Sequence, residues 1–201
     1  VEVSRGEKPD ENSNQRSVIG DQRGRLMDKI IFLPRLQRER DKFELALNQI
    51  GFTRQMTMNG VFENLSVKDL LSDVLSREQF IADRLSEIIH GETYSPCITH
   101  TALYNFQKTF GYPDYESPLL DKEKLDHLFI YKYKNIGLDD IIEQEVAAYA
   151  NIISALGKIP HSQCLDHDLF HRVSEHTYKP YHRMIVKINS WLESISSETK
   201  P

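Results

Sequence analysis

The stretch Glu175-His176-Thr177-Tyr178-Lys179-Pro180-Tyr181-His182-Arg183-Met184 lies inside an apolar repeat spanning 166–195, and its reading decides the fold. Leu169, Phe170, Val173, Thr177, Tyr181, Met184, Ile188, Leu192 and Ile195 recur at the three-and-four spacing of one helix face. The spacing predicts a last helix, D, that begins near Asp166 or Asp168 and continues through Pro180. Proline has no N–H to give the carbonyl of His176, so a kink or a free carbonyl is expected there. Tyr178 and Tyr181 carry hydroxyls on apolar bodies, which suits the wall of a mostly apolar pocket with a few placed polar groups.

Outward from helix D, three more long helical patterns are legible. Helix C runs from Leu138 through Ile141, Ile142, Val146, Tyr149, Ile152, Ile153 and Leu156 to Gly157. Helix B opens on Ser66-Val67-Lys68-Asp69, a capping-box pattern, and continues through Leu70, Leu71, Val74, Ile81, Leu85 and Ile88. Helix A is expected to start at an Asp28 cap, with Pro34 near its first turn, and to end at Gly51. Between B and C lies a long irregular connection, 91–121, with room for a short helix over 98–109 and a second over 125–133. Its aromatic run (Tyr104, Phe106, Phe110, Tyr112, Tyr115) reads either as pocket lining or as the packing that holds the crossover down. No stretch alternates with period two, so the expected class is all-α: four long helices with short extra ones on the B–C connection. Residues 1–24 are polar and Gly-interrupted, the expectation for a mobile tail; 25–196 then form one domain, and 197–201 a C-terminal tail. A chain that does not begin with Met is expected to be a fragment of a longer protein.

At 201 residues and formal charge −5, the chain can bury a core without disulfides or metal, and no large positive field invites nucleic acid or anionic membrane. The basic run 35–42 is interleaved with Glu39 and Asp41, as on a solvated helix face. Cys97 and Cys164 are far apart and in no CxxC pair; two free thiols in a reducing cytoplasm is the default, with a disulfide left open. There is no apolar run long enough to span a bilayer and no signal-peptide pattern. No nucleophile elbow, phosphate loop or HExxH helix is present either.

Two segments carry a resemblance. Ser66-Val67-Lys68-Asp69-Leu70-Leu71 with Asp73 is similar to the start of the second helix of DinB/YfiT-like bundle proteins. Thr177-Tyr178-Lys179-Pro180-Tyr181, followed by Ile188 and Trp191-Leu192, resembles the last helix of the ClbS/DfsB-like branch, and Leu138-Asp139-Asp140-Ile141-Ile142 fits its third. The resemblance spans roughly 28–194. It implies a four-helix bundle and, in many members, a divalent metal held by one His of the second helix and two of the last. The matching positions here are Asp73, Pro180 and Met184. Proline and a thioether are poor ligands for Zn²⁺ or Ni²⁺, so no metal and no cofactor is expected at them. The ClbS-like branch also departs from the triad, and it is associated with inactivation of reactive small molecules.

The candidate site follows from these readings. Asp73 and His176 are candidate catalytic groups, an acid–base pair with the carboxylate orienting the imidazole; Thr177, Tyr181, Tyr149, Pro180 and Met184 are candidate substrate-binding residues. The plainer alternatives are an Asp73–Arg77 pair on the helix edge and a His176 bonded into the core. His167 and His171 have the spacing of two metal ligands but no third in register. The leading expectation is a metal-independent protein that binds or modifies a small molecule, its pocket between helices B and D. The alternatives are a metal-dependent thiol transferase or hydrolase with shifted ligands, and a non-catalytic bundle whose partner is a second copy of the chain.

Overall fold

The computed structural model describes residues 11–51, 53–121 and 130–198. In chain order the helices are α1 (Glu11–Ile50), α2 (Thr53–Met56), α3 (Val67–Ile89), α4 (His100–Phe110), α5 (Ile130–Tyr133), α6 (Leu138–Lys158), α7 (His161–Asp166), α8 (Leu169–His176) and α9 (Tyr178–Glu198). The class is all-α: among the described residues the β structure is one isolated bridge, Phe62 with Leu65. Residues 1–10 and 199–201 of the expected tails, residue 52, and 122–129, which include 125–129 of the expected second short helix, lie outside the described residues.

α3 is the hub. Its N-terminus closes a capping box, Ser66 Oγ accepting from the Asp69 N–H at 3.1 Å and Asp69 Oδ2 accepting from the Ser66 N–H at 2.8 Å. It packs along α6 over most of its length and meets α8, α9 and α5 as well. Burial therefore extends beyond the predicted stripe: Ser72, Ser76 and Phe80 are inside along with Val67, Leu71, Val74, Ile81 and Leu85. Each large apolar side chain so buried contributes about 1.5–3 kcal/mol before entropy is charged against it. α6 buries Ile141, Ile152 and Leu156, but Ile142 and Val146 of its expected stripe face outward. Asp139 and Asp140 in its first turn and Lys158 in its last complement the helix dipole.

Two expectations about helix ends are corrected. α1 begins at Glu11, inside the segment expected as a tail, so Asp28 and Pro34 are interior positions. Gly20 and Gly24 each cost a helix about 1 kcal/mol without stopping it, whereas Pro34 removes the N–H that the Ile30 carbonyl would use. The predicted continuous helix D is two helices, α8 and α9, with the short α7 ending where it was expected to begin. Asp168, left-handed at φ 49°, precedes α8, and Thr177 at φ −123°, ψ −96° separates α8 from α9. Had the helix run on, the Pro180 ring would press on the carbonyl of His176; the chain breaks at Thr177 instead and Pro180 sits in the first turn of α9, where its missing N–H costs nothing. Thr177 Oγ donates to the Val173 carbonyl at 2.6 Å, satisfying an acceptor the ending helix leaves open.

The connection after α3 is pinned by Asp114, which is fully buried. Its carboxylate accepts from the Tyr94 hydroxyl and from the N–H groups of Cys97 (2.6 Å) and Glu116 (3.1 Å). Phe80 collects Tyr94, Phe106, Tyr112 and Tyr115 around its ring. The aromatic run is thus mostly packing, with Tyr104 on the surface. Among the described residues no helix is long and apolar enough to cross a membrane, and Cys97 and Cys164 are free thiols.

Candidate functional site

A cavity of about 970 Å³ opens between α3 and the α8–α9 pair, closed on a third side by residues 115–120. The break at Thr177 shapes it, because α8 and α9 approach α3 as separate segments. Asp73, Val74 and Arg77 come from α3; Arg172 and His176 from α8; Pro180, Arg183 and Met184 from α9. The i,i+4 ladder Arg172–His176–Pro180–Met184 therefore still presents one wall across the break.

Four of the seven candidate residues meet here: Asp73, His176, Pro180 and Met184. Three do not. Thr177 is buried with its hydroxyl turned back to Val173. Tyr181 points into the core, where its hydroxyl donates to Glu78. Tyr149 donates to Gln37 Oε1 at 3.2 Å and lies under the Arg40 guanidinium at 4.7 Å.

Asp73 is half-buried, and both its oxygens accept from Arg77 Nε, at 3.1 and 3.0 Å. The same guanidinium stacks on the Tyr115 ring at 4.7 Å. On the facing wall Arg172 forks onto Glu116, Nε to Oε1 at 2.7 Å and Nη2 to Oε2 at 3.1 Å, which ties α8 to the connection. His176 is only 6% exposed, packed between Phe80 (4.9 Å) and Tyr115 (5.5 Å), and its Nδ1 has no hydrogen-bond partner among the described residues. Burial first, and then the charges of Arg77, Arg172 and Arg183, push its pKa down to about 3. A buried imidazole so depressed is neutral at pH 7 and a weak base. The expected Asp73–His176 pair is not formed, the carboxylate being engaged by Arg77.

A second polar cluster, missed in the sequence, lies in the core. Arg40 of α1 grips Glu145 of α6 with both Nη groups, the Nη2–Oε2 contact being 2.6 Å, and reaches Glu78 Oε1 at 3.5 Å. Tyr181 of α9 completes it, so each of the long helices α1, α3, α6 and α9 supplies one member. Burial and then the charge of Glu145 push Glu78 well above the carboxylate range. Burial opposes the charge of Arg40, but the bonds to Glu145 outweigh it and hold the guanidinium ionised. In sequence these residues interrupt apolar stripes (Leu36–Arg40–Phe43, Val74–Glu78–Ile81, Ile141–Glu145–Ala148), which is the signal that could have found them. Arg172 could have been found as the next rung of the ladder from His176.

His167 is exposed, and His171 lies on the cavity rim, 3.6 Å from Glu175. Among the described residues no group of three or more His, Cys, Asp or Glu stands where it could hold a metal ion.

No family model and no curated protein matches the chain. A solved structure does: an uncharacterised protein from Escherichia coli UTI89, 14% identical, superimposes with a TM-score of 0.58 over 84% of this chain and 94% of that one. Likeness at that identity extends to the fold alone.

Proposed function

We propose that this chain binds or modifies a small organic molecule in the cavity between α3 and α8–α9, as a ClbS/DfsB-like four-helix bundle of α1, α3, α6 and α9 working in the cytoplasm without a resident metal. One observation carries the reading: Asp73, Pro180 and Met184, the positions matched to a metal triad in the resembling family, line one roomy cavity with His176. A volume of about 970 Å³ suits a drug-sized ligand. The chemistry of the wall favours binding over general-base catalysis by His176, whose basicity burial has removed. If a water is activated, Asp73 is the cavity carboxylate opposite His176 that could take the water's proton, after exchanging its bond to Arg77.

The test is an amide-shift titration of the full chain with a library of soluble small molecules. Binders should perturb the amides of Asp73, Glu116, His176 and Met184, and Met184→Trp, which narrows the cavity, should weaken the binding that the shifts report. Perturbations that cluster elsewhere, or that are unweakened in Met184→Trp, sink the proposal. Elemental analysis of untagged protein runs alongside, and a stoichiometric Zn²⁺ or Ni²⁺ would transfer the reading to a metal enzyme with shifted ligands.

A further inference from the structure

The whole chain is acidic at −5, yet the cavity wall inverts that sign. Four permanent cations (Arg77, Arg172, Arg183 and Lys187) face three carboxylates (Asp73, Glu116 and Glu175). Glu175 is in addition engaged by Lys179, which stands outside the wall. The guanidiniums come from three separate elements, α3, α8 and α9, and all three act electrostatically on His176. Asp73 already answers Arg77 and Glu116 answers Arg172, and four cations against three carboxylates leave the wall one positive charge in excess, which favours an anion in the low-dielectric space.

His176 is the second, independent observation. It is a polar side chain more than nine-tenths buried, it forms part of the cavity wall, and its Nδ1 has no partner among the described residues. A buried polar atom left unpaired is unfavourable in folding, and Nδ1 is itself closed off from the cavity space, so a bound polar group meets it only if the ring turns. Beside these groups lie apolar surfaces, Leu70, Val74, Pro180 and Met184.

We propose that the cavity takes an amphiphilic organic anion, its carboxylate, sulfonate or phosphate group set among Arg77, Arg172 and Arg183 within reach of His176, and its aromatic or alkyl body against Val74, Pro180 and Met184. The inference rests on the small-molecule reading above and names the ligand class for that same site. Shape separates it from a nucleic-acid or membrane contact, because the cations line a concavity of small-molecule size instead of a broad face.

Two dyes that share one apolar body test it: anilinonaphthalene sulfonate and its uncharged parent, phenylnaphthylamine, titrated by fluorescence against the full chain at pH 7.5 and low salt. The sulfonate should bind about tenfold or more tighter than the parent, the worth of one charge-assisted hydrogen bond. Arg183→Gln and Lys187→Gln should each weaken the sulfonate severalfold while leaving the parent unchanged, and Met184→Trp, which narrows the cavity, should weaken both. Arg172→Gln is a third variant, used only if it melts as the native chain does, since it also loses Glu116. Equal affinities for the two dyes would overturn the anion inference and leave the small-molecule pocket standing. Binding of neither dye, or binding of both that is unweakened in Met184→Trp, would remove the pocket reading along with it.

Discussion

Arg77 and Glu78 are neighbours in the chain, about 100° apart around α3, and they serve two polar clusters of opposite design. Glu78 belongs to a closed network. Arg40, Glu145 and Tyr181 surround it, one from each of the other long helices, and solvent has almost no access. Arg77 belongs to an open one, where an arginine-rich wall and an imidazole whose Nδ1 lacks a partner among the described residues border a cavity. A buried network that spans four helices constrains how they dock, although Glu78 Oε2 is left without a hydrogen-bond partner among the described residues. The cavity cluster instead borders space that a small molecule can enter. The contrast predicts that mutations in the core cluster act on stability, and that mutations at the cavity act on ligand and pH response.

The largest effect is expected at Glu145. Glu145→Gln leaves the Arg40 guanidinium buried against a neutral amide, and breaking one side of a buried pair costs about 3–5 kcal/mol. Urea unfolding at pH 7 measures it. A loss under about 1 kcal/mol, within the range of exposed pairs, would mean that water reaches the core cluster, and the distinction between closed and open would collapse.

Next comes His176. Its folded pKa lies near 3 against 6.5 for the free side chain, so below pH 6.5 the unfolded chain takes a proton that the folded one refuses. Its contribution is complete above pH 6.5 and is lost as pH falls toward 3, at about 1.4 kcal/mol per unit at most. The charges set against it come from α3 (Arg77), α8 (Arg172 and His171) and α9 (Arg183), with the phenol of Tyr115 packed beside it. His176→Phe does not titrate. Whatever offset the larger ring introduces at pH 8, the variant should gain on the native chain by about 2–3 kcal/mol between pH 6.5 and 4.5. Parallel stability curves would show that the imidazole protonates in the folded chain and that the wall is wetter than its burial indicates.

Much of this was legible in the sequence, and the losses have causes. The Ser66–Asp69 cap, the apolar faces of α3 and most of those of α6, and the His176–Pro180–Met184 ladder rest on local spacing, which sequence carries directly; the placing of Asp73 opposite that ladder came from the family resemblance. The break at Thr177 was read as a kink, because Pro180 announces a disturbance but not which residue will absorb it. Thr177 and Tyr181 miss the cavity wall for another reason: each lies one residue, about 100°, round from the His176–Pro180 ladder, and that face meets the core. Arg40, Glu78 and Glu145 were visible as charges inside apolar stripes. Their mutual pairing spans more than a hundred residues and depends on how helices dock, which no local pattern encodes.

Glu78→Gln is the third test and a smaller one. The amide oxygen still accepts from Tyr181, and Arg40 keeps Glu145, so the change should stay within about 1 kcal/mol of the native chain at pH 5. The sign with pH is fixed by linkage. A carboxyl whose folded pKa is raised contributes fully below its unfolded value, near 4.5, and loses that contribution as pH rises toward the folded one. Gln has no such loss, so the variant should draw ahead of the native chain on the alkaline side. Denaturant midpoints at pH 5, 7 and 9 give the trend, and a variant that falls behind with rising pH would mean Glu78 is ionised in the core.

Asp73→Asn carries the smallest stability effect and separates the clusters most cleanly. Asp73 and Arg77 are an i,i+4 pair on one helix with a side chain about a quarter exposed, a geometry worth less than about 1 kcal/mol. Melting should therefore hardly move. The cavity wall, however, loses one of its three carboxylates against four cations, so the anionic dye should bind severalfold tighter and the uncharged dye should not change. If Asp73 instead serves as a base toward a bound molecule, turnover of that molecule falls while its binding persists or strengthens. A destabilisation near that of Glu145→Gln is the outcome the comparison does not survive, since Asp73 would then hold the fold together as the core cluster does, and the cavity would be a gap between structural residues.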